Sequence, residues 1–271
     1  MTSDFRPGLF DGRTVLITGA GEGIGAATAA VAGELGARIA ICDRREQPFL
    51  ATVDALRQAG VEVLAEVLDV RDSEAAAAFV EATAARFGTI DVLVNNAGGT
   101  FTADFVDLSA KGEHAVIAEN FTQITHLVRC ALTHMPVGGS IVNVTSVEAH
   151  QAAPGYAIYA AMKAAIASLT RTLALELAPR GIRVTAIAPD ALATSGEHDA
   201  RAVTSSRPMI YEPASTAPLG YFGTPTDGAN AVLFLASPLA RFITGSTVHV
   251  DGGTWAAGGW QRRLLEPGDS G

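Results

Sequence analysis

The chain of 271 residues is short of cysteine, of net positive charge and of long apolar runs, and each shortage excludes something. Cys42 and Cys130 stand alone, with no CxxC pair and no Cys/His cluster. That excludes a disulfide framework and a structural zinc, and fits a reduced, cytoplasmic protein, with no metal expected. Lysine and arginine number 19 against 28 aspartates and glutamates, a formal net charge of −9. A nucleic-acid partner needs a basic face, so that class of partner is excluded. No apolar run reaches the roughly 18 residues needed to cross a bilayer. The longest, at 156–169, carries Lys163 in its middle, so no membrane partner is expected. The opening MTSDFRPGLF lacks the basic, then apolar, then small-residue order of a secretion signal. Charged residues make up only 17% against 48% hydrophobic, with a mean hydropathy of +0.26. This balance excludes a disordered chain and assigns the surplus apolar surface to a core or to subunit contacts.

What is present is an alternation. Strand-like runs occur at 14–18, 37–42, 61–70, 91–96, 140–146, 182–188 and 246–250. Helical stretches fall near 23–35, 46–59, 73–87, 112–135, 156–178 and 226–236. Short unbroken runs of Val, Ile and Leu predict strands buried on both faces. Helices between them predict right-handed crossovers and a parallel sheet, hence an α/β fold. No repeat or linker separates the first strand from the last, so one domain over 1–271 is expected. Two segments break the rhythm. Residues 190–224 hold Pro208, Pro213 and Pro218 with little periodicity, and read as a substrate loop or lid. Its Leu192, Met209, Ile210, Tyr211, Leu219, Tyr221 and Phe222 suit an apolar molecule. The tail 254–271, with Trp255 and Trp260, reads either as a frayed terminus or as part of an interface.

Between the first strand and the first helix lies GAGEGIG. Glycine there permits positive φ and close backbone approach to phosphate oxygens, while amides at the helix start attract the anion. The placement between strand and helix gives the pattern its value and makes Gly19, Gly21, Glu22, Gly23, Ile24 and Gly25 the candidate contacts to a dinucleotide. Asp43 closes the second strand; its carboxylate is placed to accept from ribose hydroxyls and to repel a 2′-phosphate. NAD is therefore expected ahead of NADP, although Arg44 and Arg45 soften the repulsion. The competing reading of Asp43 is a turn or helix-cap carboxylate.

Tyr159 and Lys163 are four residues apart on one helix face. A free phenol, with a pKa of about 10, is a poor base at neutral pH. A nearby ammonium and a positive nicotinamide ring favour the phenolate, which can then take a hydroxyl proton as hydride leaves the carbon. Ser146, at the end of the fifth strand, faces the ligand crevice of an open sheet and can donate to the substrate oxygen. Tyr156 serves as an internal control, because position 160 is alanine and gives it no lysine.

With these elements in order, the chain resembles the short-chain dehydrogenases/reductases over residues 10–253. Its Thr18-Gly19-x-x-x-Gly23-x-Gly25 matches that family's loop, and Asn95-Asn96-Ala97-Gly98 its NNAG element. The resemblance implies a single-domain Rossmann fold, a doubly wound seven-stranded parallel sheet with helices on both faces. It implies that Asn96, Ala97 and Gly98 line the adenosine side, while Asp69 and Val70 form an adenine-contacting pair; a turn carboxylate is the alternative for Asp69. Asn120, in IAENFTQ, matches the asparagine that holds a water in the proton relay to the lysine. Ser146, Tyr159 and Lys163 match the remaining active-site positions, with Lys163 also on the nicotinamide ribose. Pro189 begins the stretch beside the nicotinamide, where Leu192 and Thr194 are further cofactor positions. Asp251-Gly252-Gly253 resembles the usual end of the last strand. One departure is Pro189-Asp190 where the family commonly has Pro-Gly, which weakens the match at Thr194. Glu148 and His150 fall where the family lines its substrate pocket; they read as exposed loop residues, with recognition of polar substrate groups as the alternative.

The implied activity is NAD-dependent interconversion of a secondary alcohol and a ketone, on a hydrophobic small molecule. The alternatives are an NADPH-dependent 3-oxoacyl-type carbonyl reductase, for which Arg201 and Arg207 offer phosphate contacts, and a dinucleotide-binding regulatory protein without turnover. A homotetramer is implied, with the alanine-rich helices 112–135 and 156–178 packing across one interface.

Overall fold

Alternating side chains on the central strands feed two apolar layers. On β1 (Thr14–Thr18), Val15 and Ile17 face one core and Leu16 the other. A computed structural model of the chain describes residues 5–190, 192 and 217–258. Within them, α1 (Gly23–Glu34), β2 (Arg38–Asp43), α2 (Glu46–Gln58), β3 (Val63–Val67), α3 (Ser73–Phe87) and β4 (Val92–Asn95) follow β1. Then come α4 (Ala110–Ile117), a π turn (Ala118–Thr122), α5 (Gln123–Ala131), β5 (Ser140–Val144) and α6 (Ala157–Glu176). The order closes with β6 (Arg183–Pro189), α7 (Pro225–Ala236), β7 (Thr247–Val250) and the short α8 (Thr254–Ala257).

All strand pairings are parallel, in the order β3-β2-β1-β4-β5-β6-β7. Helices α1, α2 and α7 cover one face through Ala29, Phe49, Val53, Val232 and Leu233. Helices α3, α5 and α6 cover the other through Phe79, Val80, Ile124, Leu127 and Ile166. This is the doubly wound Rossmann arrangement. The strand order reverses between β1 and β4, which opens a crevice at the carboxyl ends of those strands.

Three expectations need adjusting. Burial on both faces holds for the interior strands only, because β3 and β7 are sheet edges and leave Val67 and Val248 exposed. The third strand is shorter than 61–70 because its ladder runs along β2 only from Ile39 to Asp43. The helix expected at 112–135 is broken by the π turn, an irregularity that often marks a functional position. Among the described residues, no helix is long and apolar enough to cross a membrane. Thr194, Arg201, Arg207, Met209, Ile210, Tyr211 and Trp260 lie outside the described residues.

Candidate active site

The glycine loop is held from two sides. Asn96 Nδ2 donates to the carbonyls of Thr18 (2.9 Å) and Gly19 (2.8 Å), while Thr18 Oγ1 accepts from the amides of Asn96 and Ala97. The fit leaves no room for side chains: a Cβ on Gly25 would lie 2.4 Å from the Gly19 carbonyl oxygen, and one on Gly21 2.8 Å from Asp43 Oδ2. Asp43 is buried and accepts from the amides of Gly21 and Arg45, each at 2.9 Å. Its carboxylate thus joins the loop to the end of β2. At the start of α1 the N-cap residue Glu22 makes no side-chain cap bond, so the first-turn amides are left facing the loop. Glycine cradle, uncapped helix start and carboxylate together fit the pyrophosphate and ribose of a dinucleotide.

The arginines beside this cradle are engaged within the protein. Arg44 Nη2 lies 3.3 Å from Glu119 Oε1, and Arg45 pairs with Glu22. Arg71 grips Asp69 through Nε and Nη2, which holds that carboxyl below the usual carboxylate range. Asp69 also accepts from the Arg71 amide at 3.0 Å, so the turn role coexists with its place, beside Val70, in the cleft wall.

At the other end of the cleft stands the Ser–Tyr–Lys set. Ser146 ends the β5 segment, and Tyr159 and Lys163 project from the first two turns of α6. A hydrogen bond joins the Tyr159 and Ser146 side chains, and Ser146 Oγ donates to Glu148 Oε2. Lys163 Nζ is buried, donates to the Val144 carbonyl at 3.0 Å and sits 5.4 Å from the centre of the Tyr159 ring. Burial pushes its pKa down to about 8, against the pull of Glu148 and Glu119. Asn120 lies in the π turn, donating to the carbonyls of Gly99 (2.7 Å) and Val116 (2.9 Å). A Cβ on Gly98 would come within 2.9 Å of Asn120 Oδ1 and 3.1 Å of Lys163 Nζ, so both polar groups close on the same spot.

The Tyr159 phenol departs from expectation. Burial raises its pKa above the ordinary value, the charges of Glu148 and Asp190 raise it further, and only the Ser146 hydrogen bond opposes them. The lysine alone does not make this tyrosine a base. Cofactor-free, the site keeps the phenol protonated, and a positive nicotinamide ring would have to supply the opposing charge.

Both ends open into one cavity of about 710 Å³, lined by Gly19, Asp43, Gly98, Ser146, Tyr159 and Lys163 among others. Residues 19–254 match the family model described as enoyl-(acyl carrier protein) reductase. The chain belongs to the short-chain dehydrogenase/reductase family. It is an oxidoreductase acting on CH–OH and carbonyl groups with NAD(P). The chain is 37% identical over 260 residues to 3beta-hydroxysteroid dehydrogenase 1 of Eggerthella lenta, covering 92% of this chain and 96% of that one. It is 35% identical over 246 residues to the 3-oxoacyl-[acyl-carrier-protein] reductase FabG of Staphylococcus aureus, covering 90% and 98%. Among solved structures it is similar to carveol dehydrogenase from Mycobacterium avium in complex with NAD, with TM-score 0.84, 28% identity and coverage of 92% and 99%. A short chain dehydrogenase from Burkholderia cenocepacia in complex with NADP matches with TM-score 0.81, 30% identity and coverage of 90% and 98%.

For a short-chain dehydrogenase/reductase, the sequence-derived positions come together well. Glu22, Gly23, Ile24, Arg44, Asp69, Val70, Asn96, Ala97, Pro189 and Leu192 all line the cavity. Leu192 is buried and bridges Gly223, whereas Leu219, Tyr221 and Phe222 are exposed and do not line it. Tyr156 also reaches the cavity, its hydroxyl accepting from Thr102 Oγ1 at 2.8 Å. The reading of Glu148 as an exposed loop residue is corrected: it is half-buried, lines the cavity and holds the Ser146 hydroxyl, because the 3-10 turn Val147–Ala149 folds it inward. His150 is exposed as read, with its ring 4.7 Å from His249, on which Trp255 stacks at 4.3 Å. The start of the tail therefore packs on this chain's own edge strand. Two further roles escaped the sequence reading. Glu119 holds Arg44, and Asn143 carries a buried chain from Asn95 (2.8 Å) to Thr170 (2.9 Å) that ties β4 and β5 to α6.

Proposed function

We propose that this protein is an NAD-dependent oxidoreductase interconverting a secondary alcohol and a ketone on a hydrophobic small molecule. The observation that carries the reading is the Ser146–Tyr159–Lys163 set at one end of the cavity that holds Asp43 at the other. In oxidation Tyr159 Oη takes the carbinol proton, Ser146 Oγ donates to the substrate oxygen, and Lys163 supplies positive charge beneath the phenol. Asn120 supports the proton path beside Lys163. The bound dinucleotide supplies the hydride acceptor. Phe101, Val116, Tyr156 and Leu192 give the substrate end an apolar wall.

NAD is favoured because a 2′-phosphate would meet the buried Asp43 carboxylate, while Arg44 and Arg45 are already paired with Glu119 and Glu22. An NADPH-dependent 3-oxoacyl reductase is the second reading, supported by the S. aureus relative and by Arg44 at the mouth of the ribose site. Thr194 remains part of the proposed cofactor set. We read residues 1–271 as one domain, cytoplasmic in location, and assembled as a homotetramer. Exposed Leu175 on α6 supports the expected helix interface.

The test follows NADH and NADPH formation optically with cyclic secondary alcohols and 3-hydroxyacyl thioesters. Tyr159→Phe is expected to lose at least about a hundredfold in turnover while still binding NADH. Turnover retained in that variant refutes the assignment, and preference for NADP moves the second reading ahead.

A further inference from the structure

The Ser146 hydroxyl has one hydrogen, for which the Glu148 carboxylate competes with the Tyr159 oxygen. To donate to a substrate oxygen, Ser146 must release that carboxylate, leaving a half-buried charge without its partner. A substrate that brings its own donor to Glu148 removes the penalty; one that brings none bears it in full. No other side chain among the described residues hydrogen-bonds Glu148. Among the described residues lining this end of the cavity, Lys163 is the cation; it attracts Glu148 but hydrogen-bonds the Val144 carbonyl beneath the Tyr159 ring. The arginines of the cleft stand at the ribose and adenine end, paired with Glu119, Glu22 and Asp69. Asp190 adds a second carboxylate to the wall. Among the described residues the reacting end thus sets two carboxylates against one ammonium.

We propose that Glu148 is a specificity-determining residue that binds a hydrogen-bond donor, hydroxyl or ammonium, on the carbon next to the reacting carbinol. The substrate class is then a vicinal diol or 2-amino alcohol carried on an apolar skeleton. The reach fits: the carboxylate and the substrate oxygen each stand at hydrogen-bond distance from Ser146 Oγ, one before and one after the hydroxyl turns, so they lie within about 5 Å of each other, a span that a donor on the neighbouring carbon closes. That both carboxylate charges act on the Tyr159 phenol is a further sign that they face the reacting atoms. The inference rests on the reading of Ser146, Tyr159 and Lys163 as the reacting end.

The experiment titrates cyclohexanol, cyclohexane-1,2-diol and 2-aminocyclohexanol into the full chain with NADH present, by calorimetry. NAD reduction by the same three alcohols is measured beside it. Wild type is expected to bind the diol and the amino alcohol about tenfold or more tighter than cyclohexanol. Glu148→Ala is expected to bring both ratios within about twofold of unity. Glu148→Gln keeps the side chain's bulk and a neutral acceptor, so it retains a preference for the diol and loses that for the ammonium. Equal binding of the three ligands by wild type overturns the proposal, as does a preference that survives in a folded Glu148→Ala protein. A binding preference without NADH formation from any of them supports Glu148 and overturns the alcohol–ketone reading instead.

Discussion

Replacing Lys163 by methionine should make the protein more stable and leave it without useful activity. The ammonium is 3% exposed, and burial lowers its pKa from the ordinary 10.5 to about 8 even with Glu148 and Glu119 pulling the other way. That drop corresponds to about 3 kcal/mol of folding free energy lost at neutral pH. Methionine keeps the length and removes the charge, but it strands the Val144 carbonyl that Lys163 now serves at 3.0 Å, a loss of about 1 kcal/mol. The expected net gain is about 2 kcal/mol at pH 7. Its pH dependence has a definite sign. Between about 8 and 10.5 the folded lysine binds fewer protons than the unfolded one, so wild-type stability from this group rises with pH. The advantage of Lys163→Met should therefore shrink by roughly 1 kcal/mol between pH 7 and pH 9. The Cys42 thiol, pushed up to about 12 by burial, lowers alkaline stability in both proteins alike and cancels in the difference. Urea unfolding of the cofactor-free proteins at the two pH values measures this directly. A variant less stable than wild type at pH 7, or a gap that does not narrow, refutes the reasoning.

Asp43→Asn keeps an acceptor for the Gly21 amide but removes the charge that would face a 2′-phosphate. The ratio of kcat/KM with NADP to that with NAD should rise by about tenfold. Asn96→Ala strips the donors from the Thr18 and Gly19 carbonyls and should cost about 2 kcal/mol in urea unfolding, with weaker NADH binding in titration. Gly98→Ala forces a methyl toward Asn120 Oδ1 and Lys163 Nζ. It should depress turnover more than it depresses the melting temperature, since the groups displaced belong to the proposed proton path rather than to the core.

Features set by neighbours in sequence were legible in advance. Strand runs such as 14–18 and 140–146 owe their burial to central positions in the sheet, and the pattern of branched residues reports that directly. The Gly loop is defined by a strand end and a helix start, and Tyr159 and Lys163 by one turn of helix, so spacing alone locates both. What was missed depends on segments that meet only after folding. The π turn that carries Asn120 has no sequence period of its own, and edge exposure in β3 is a property of sheet order, not of β3. The tyrosine shows the difference best. Counting along its helix finds only the lysine and predicts a lowered pKa. Folding buries the phenol and brings Glu148 from the β5 side and Asp190 from the end of β6 toward it; all three raise its pKa, and only the Ser146 hydrogen bond opposes them. With its pKa raised in this way the phenol stays protonated at neutral pH, and a positive nicotinamide ring beside it would favour the phenolate.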